Sequence, residues 1–174
     1  MLHDAIVTAY KDKVLRGWDT LYFAVDLHGT IIQRYTGTDI NPYDHALKVL
    51  RALSAMSDIV LILFTSTSRE QLEPFYTWCE LNCINFKYLN ENPECASNKT
   101  GDFTSKFYYN VLIDDRAGFD PEMDWVVLLE SLKIAKKMEH CEHLEYCRNG
   151  FKHTCNSNVC RICSVNAYFC YDPV

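Results

Sequence analysis

Two hydrophobic patterns alternate along this chain. Short runs of consecutive apolar side chains, the clearest at 59–64, are typical of strands buried on both faces of a parallel sheet. Elsewhere, as in 43–56, apolar residues recur at the spacing of a helix that buries one face. In chain order the patterns predict a helix at 2–16, a strand at 21–26, a helix at 43–56, a strand at 59–64, a helix at 68–81, strands at 86–89 and 110–113, and a helix at 121–137.

This order of elements predicts the fold class. Strands separated by helices are typical of α/β proteins, in which a Rossmann-like parallel sheet carries helices on both faces. The composition changes after residue 138, where Cys, His and Asn become frequent. We therefore expect an α/β domain over 1–138 and a small Cys- and His-rich tail over 139–174.

Composition and charge exclude several other classes. The 174 residues are 48% hydrophobic, which is enough for a packed core. A formal net charge of -6 argues against non-specific binding to a nucleic-acid backbone. A local basic groove is still compatible with this net charge. No apolar run approaches the roughly 18 residues of a membrane span. The first residues lack the pattern of a secretory signal, so we expect a cytoplasmic protein that does not bind membranes.

Polar residues lie at the carboxyl ends of three of the predicted strands. Asp26 ends the first strand, Thr65 follows the second, and the pair Asp114 and Asp115 follows the last. Ligands of open α/β sheets bind at the carboxyl ends of the strands, and paired acids after a buried strand are costly without a cation. The plainer alternative is that these side chains cap the turns that follow the strands.

Four segments together resemble the haloacid dehalogenase (HAD) superfamily. The first resembles its Asp-x-Asp-Gly-Thr motif, with His28 at the second Asp; the others resemble an apolar strand ending in Thr or Ser, a Lys, and a strand ending in paired acids. In this chain the four are Asp26-Leu27-His28-Gly29-Thr30, 60–66, Lys106 and 111–116. The resemblance covers roughly residues 20–130, and its last motif is especially similar to nucleotidases and small phage-encoded members.

The resemblance implies a Mg²⁺-dependent phosphatase or nucleotidase. Asp26 is expected to be the nucleophile, forming an aspartyl phosphate. Oxygen ligands suit Mg²⁺; they are expected from Asp26, the backbone carbonyl of His28 and Asp114, while Asp115 is expected to bind through water or to orient the site. The phosphate is expected to contact the hydroxyl of Thr65 and the ammonium of Lys106, although Lys106 by itself could equally be a solvated surface residue.

His28 is the departure from the family pattern. The second Asp of that motif protonates the leaving group and then activates water, and an imidazole can take either role near neutral pH. Two functions therefore stay open. One is a phosphohydrolase acting on nucleotides or nucleic-acid terminal phosphates. The other is a weakened or inactive HAD-fold binding protein that uses its tail to hold a partner.

The tail and the open site are connected expectations. Neither insertion point of the family has room for a full cap domain, so the resemblance implies an open site for a large substrate, or one closed by another element such as the tail. The tail cannot bury much core and therefore needs metal or crosslinks to order. We expect Zn²⁺ bound by four cysteines, with disulfides or free thiols as the alternatives. These cysteines are Cys155, Cys160, Cys163 and Cys170.

Overall fold

Four parallel strands form the centre of the structure, a computed structural model that describes residues 2–34, 40–99 and 101–139. The strands are β1 (Leu21–Asp26), β2 (Ile59–Phe64), β3 (Phe86–Leu89) and β4 (Val111–Ile113), and the helices are α1 (Leu2–Arg16), α2 (Ala46–Ser54), α3 (Glu73–Leu81) and α4 (Asp124–Glu139). Short 3-10 turns precede α3 and follow β4, at Arg69–Leu72 and Asp115–Ala117. The α/β class with a parallel sheet flanked by helices is confirmed.

The strand order brings the predicted site residues together at the carboxyl ends of the strands. The sheet runs β3-β2-β1-β4, so β1 lies between β2 and β4. Register pairs Asp26 with Phe64 and Val25 with Ile113. The residues that follow these positions therefore emerge side by side at the carboxyl edge.

The core lies between the strands and all four helices. Leu21, Phe23 and Val25 of β1 belong to one buried cluster that also contains side chains of every helix, including the fully buried Trp125 of α4. Successive side chains of a strand point to opposite faces. On the other face Tyr22 contacts Tyr108, with ring centroids 6.4 Å apart, so the long β3–β4 connection packs against the sheet there.

The bounds of the strands and of α1 match the predictions closely, whereas the starts of the other three helices do not. The helix expected from 43 begins at Ala46, because His45 before it adopts a left-handed φ of 67°. Before the helix, the amide of Tyr43 donates to the carbonyl of Ile31 over 2.9 Å. The helix expected at 68–81 is a 3-10 turn followed by α3, and the last helix begins at Asp124 instead of 121.

The boundary expected near residue 138 falls in the last turn of α4, which the structure follows to Glu139. The predicted tail over 139–174 lies beyond the described residues, except for Glu139 itself. Among the described helices, none combines the length and apolar content that a membrane span requires.

Candidate active site

Three carboxylates meet at the carboxyl edge of the sheet. One oxygen from each of Asp26, Asp114 and Asp115 lies within 4.8 Å of the other two. Asp26 ends β1, and the other two directly follow β4, its parallel neighbour. The pairing of β1 with β4 therefore produces the acidic cluster, as the positions of the acids after their strands predicted.

Electrostatics within the acidic cluster oppose full ionisation. Burial, and then the negative charge of Asp114, raise the pKa of Asp26 to about 6, although hydrogen bonds from the Leu27 amide and the Thr30 hydroxyl act in the other direction. Carboxylates this close repel one another when all are charged, and a nearby cation would reduce the repulsion. The cluster is therefore deficient in positive charge at neutral pH.

One carboxylate oxygen of Asp115 lacks a hydrogen-bond partner among the described residues. Its Oδ1 is buried and has no hydrogen-bond partner among the described residues, while its Oδ2 accepts a hydrogen bond from Arg34. A buried anionic oxygen without a partner is costly, so such atoms call for a cation or a donor. The cluster offers three carboxylate oxygens as ligands, and one Asp115 oxygen has no hydrogen-bond partner among the described residues. Such a set of hard oxygen ligands fits a divalent metal ion.

Thr30 connects the two strand ends that form the cluster. Its side chain is fully buried; the hydroxyl donates to Oδ2 of Asp26 over 3.1 Å and accepts from the backbone amide of Asp115 over 3.0 Å. The carbonyl of Thr30 accepts from the indole nitrogen of Trp125 over 3.1 Å. One threonine thus fixes the relative positions of β1, β4 and α4, and it orients the Asp26 carboxylate.

The turn after β1 requires glycine at position 29. Gly29 has a φ of 89°, which side-chain-bearing residues rarely adopt. A Cβ atom there would also lie 2.6 Å from Nε of Arg34 and 3.0 Å from Oδ2 of Asp115. Both the backbone conformation and the crowding explain why the segment after Asp26 and His28 contains glycine.

The end of β2 is held by an amide side chain. Asn90 accepts from the backbone amide of Thr65 over 2.9 Å and donates to its carbonyl over 2.6 Å. The Thr65 hydroxyl donates to Oγ1 of Thr67 over 3.1 Å, and that oxygen lies 3.4 Å from Nδ1 of His28. The second motif thus reaches the exposed side chain of His28 through Thr67.

Lys106 makes no ion pair with the acidic cluster among the described residues. Its ammonium lies 5.6 Å from the ring centroid of Tyr109, the side chain is exposed, and it makes no ion pair within the described part of the chain. Its expected contact with phosphate therefore stays a prediction. Cys155, Cys160, Cys163 and Cys170, the expected zinc ligands, lie outside the described residues.

Three contributors were not found from the sequence. Asn90 directly follows β3, so the same logic that selected Thr65 after β2 could have found it. Thr67 has a weaker signal, its place two residues after Thr65. No pattern in the sequence points to Arg34, because its partner Asp115 is 81 positions away in the chain.

Comparison with known proteins bears on the fold. No protein-family model matches the chain, and no curated protein matches it. The chain is similar to the solved structure of a conserved protein from Bacteroides thetaiotaomicron, with 27% sequence identity and a TM-score of 0.52. The match covers 66% of this chain and 90% of that one. That likeness concerns the fold, so the function has to be argued from the site.

Proposed function

We propose that the protein is a Mg²⁺-dependent phosphohydrolase that works through an aspartyl phosphate on Asp26. The observation that carries the proposal is the acidic cluster at the carboxyl edge of a parallel sheet, with a buried Asp115 oxygen that has no hydrogen-bond partner in the part of the chain that the structure describes. The order of the four HAD-like segments supports the same reaction. Asp26, Asp114 and Asp115 would hold the Mg²⁺, together with the backbone carbonyl of His28.

Asp26 would attack the phosphorus atom of the substrate. The Thr30 hydroxyl holds Oδ2 of this carboxylate, which leaves Oδ1 as the oxygen best placed for attack. Bound Mg²⁺ would neutralise charge on the carboxylates and on the transferring phosphoryl group. Thr65, fixed by Asn90, would offer its hydroxyl to a phosphate oxygen. Attack breaks the bond to the leaving-group oxygen, and water later releases phosphate from Asp26.

His28 would donate the proton to the leaving group. Its side chain is exposed and contacts Thr67, so it is open to a substrate from solvent. After the leaving group departs, the neutral imidazole can accept a proton from the attacking water. The single residue thus takes both roles that the resemblance gives to the second Asp.

The substrate class we propose is nucleotides or nucleic-acid terminal phosphates. Between β1 and β2 the described residues contain one short helix, α2, and no cap-sized domain. An open site suits a phosphate at the end of a large molecule. The nucleotide assignment rests on resemblance at the level of the fold, which is weaker support than the cluster itself.

The test is release of inorganic phosphate from three kinds of substrate. These are p-nitrophenyl phosphate, a panel of nucleoside monophosphates, and oligonucleotides with a 5′- or 3′-terminal phosphate. We expect turnover with Mg²⁺ and none with EDTA, with preference for a nucleotide or an oligonucleotide end over the aryl phosphate. Absence of turnover on the whole panel, in protein shown to be folded, would reject the hydrolase.

Substitution of His28 by Asp discriminates the hydrolase from a binding protein of the same fold. If His28 is a working proton donor, the wild type turns over and His28→Asp shifts the pH optimum while keeping activity within about tenfold. A silent wild type whose His28→Asp variant gains turnover would show that His28 disables the site. The binding-protein function would then replace the hydrolase.

A further inference from the structure

Arg34 is the cation that faces the acidic cluster. Its guanidinium makes an ion pair with Oδ2 of Asp115, and within the described residues no other cationic side chain pairs with a member of the cluster. The Asp115 side chain is 17% exposed and that of Arg34 is 48% exposed. Arg34 therefore sits at the rim, with part of its guanidinium still open to solvent.

The chain is shaped to let Arg34 approach. Gly29 leaves the space that Nε of Arg34 occupies, since a Cβ at position 29 would lie 2.6 Å from that atom. The Gly29 amide donates to the carbonyl of Ile32 over 2.7 Å, which folds the loop back so that Arg34 follows close to the cluster. The closeness of Arg34 thus depends on a glycine that the turn requires for its backbone.

A guanidinium has five donors in a planar fork, and it binds phosphate oxygens in pairs. Asp115 engages only part of that fork. Lys106, which the HAD resemblance would assign to phosphate, contacts the ring of Tyr109 and makes no ion pair with the cluster within the described residues. Of the two cationic side chains, Arg34 is therefore the one whose donors already lie beside the carboxylates at which a phosphoryl group would react.

We propose that Arg34 is the phosphate-binding residue of this site, and that Asp115 holds it in place until metal and phosphate arrive. The proposal rests on the phosphohydrolase function and names a residue that the motifs do not include. Arg34 and a divalent cation are both counter-ions of Asp115, so they compete for it. Metal binding at Asp115 frees the guanidinium, which then binds phosphate, and phosphate therefore binds more tightly once metal is present.

The experiment compares Arg34→Gln with a matched control, Arg51→Gln. Arg51 is an exposed arginine in the last turn of α2. Isothermal titration calorimetry measures the dissociation constants of Mg²⁺ alone, inorganic phosphate alone, and phosphate with saturating Mg²⁺. We expect Arg34→Gln to weaken phosphate binding about tenfold to a hundredfold, as for loss of charged hydrogen bonds, and to tighten Mg²⁺ binding. Arg51→Gln should match the wild type in all three titrations.

Arg34→Lys keeps the charge without the fork, so its phosphate affinity should fall between the other two. Circular dichroism and melting temperature verify that each variant is folded, and Arg34→Lys carries the test if Arg34→Gln does not fold. Equal phosphate affinity in Arg34→Gln and Arg51→Gln, or weaker Mg²⁺ binding in Arg34→Gln, would overturn the proposal while hydrolysis by the wild type left the function intact. A wild type that binds neither Mg²⁺ nor phosphate would remove both.

Discussion

Two aspartates at opposite ends of the sheet show what distinguishes a structural carboxylate from a reactive one. Asp58 precedes β2 at the amino edge and accepts from Lys136 over 2.8 Å, and from Lys13 and the hydroxyl of Tyr10 over 3.2 Å each. Burial opposes its ionisation, but the hydrogen bonds from the two lysines outweigh burial and lower the pKa of Asp58. Asp26, at the carboxyl edge, has a pKa raised to about 6 by burial and by Asp114.

The difference lies in the supply of positive charge. Asp58 has two ammonium groups, from α1 and α4, so it joins both helices to the start of β2. The acidic cluster has three carboxylates and the one guanidinium of Arg34 among the described residues. Carboxylates with perturbed ionisation and incomplete pairing are typical of functional sites, whereas fully paired ones hold helices together. We infer that charge deficiency, more than acidity, marks the site.

The largest expected contrast between the two aspartates is in turnover. Asp26→Asn keeps the shape of the side chain and an acceptor for Thr30 but removes the attacking carboxylate oxygen, so phosphate release should fall about a thousandfold or more. Asp58→Asn, assayed below its melting temperature, should stay within about threefold of the wild type. Initial rates at saturating Mg²⁺ measure both. Undiminished activity in purified Asp26→Asn protein would reject Asp26 as the nucleophile.

The next contrast is in stability. Asp58→Asn leaves Lys13 and Lys136 without their charged partner in a partly buried position, and should lower the free energy of unfolding by about 2 kcal/mol at pH 7. Urea denaturation followed by circular dichroism measures the loss. The stabilising effect of Mg²⁺ should not change, because Asp58 is at the other end of the sheet. An unfolding free energy equal to that of the wild type would show that this ion-pair cluster does not hold α1 and α4.

The smallest contrast is in the dependence of stability on pH. The pKa of Asp26 lies above its ordinary value of 3.8, so the folded state loses stability as pH rises from about 4 to about 6. Without Mg²⁺, the free energy of unfolding of Asp26→Asn should therefore be about 1 kcal/mol higher than that of the wild type at pH 7. This value is discounted for solvent screening. The difference should vanish near pH 4.

Asp58 should show the opposite sign. Because its pKa lies below 3.8 in the folded state, its stabilising effect is complete above about pH 4 and is lost as the pH falls further. Urea denaturation of both variants from pH 3 to 7 separates the two behaviours, because the loss at Asp58 falls below about pH 4 and the change at Asp26 falls above it. An Asp26→Asn variant that is less stable than the wild type at pH 7 without metal would contradict the charge deficiency of the cluster.

Strand positions could be predicted from the sequence, because buried parallel strands need continuous apolar runs. The runs at 21–26 and 59–64 matched β1 and β2 residue for residue, as did the shorter, half-buried segment 86–89 for β3. The apolar runs also marked the strand ends, so Asp26, Asp114 and Asp115 could be selected from the sequence as candidate site residues. The pairing of β1 with β4 brings these three side chains together. Helix starts were less predictable, because the left-handed φ of His45 makes α2 begin later than its apolar spacing indicates.

The long-range contacts of the site could not be predicted. Arg34 meets Asp115 only because the turn at Gly29 and the β1–β4 pairing bring distant positions together. Asn90 reaches Thr65 from the end of β3, where a left-handed φ of 54° turns the chain. Each contact depends on tertiary geometry, which no local periodicity encodes. The role expected for Lys106 also stays a prediction, since the contact that the structure shows for its ammonium is with the ring of Tyr109.

The most direct test of the central claim is the melting temperature as a function of Mg²⁺ concentration at constant ionic strength. A ligand that binds the folded site raises stability by about 2.7 kcal/mol at a hundred times its dissociation constant, which corresponds to roughly 5 °C or more for a chain of this size. The wild type and Asp58→Asn should both show this rise. Asp114→Asn, which keeps an acceptor for the Arg116 amide, should not. A wild type whose melting temperature does not respond to Mg²⁺, or an Asp114→Asn variant that responds equally, would contradict a metal-dependent phosphatase site at the acidic cluster.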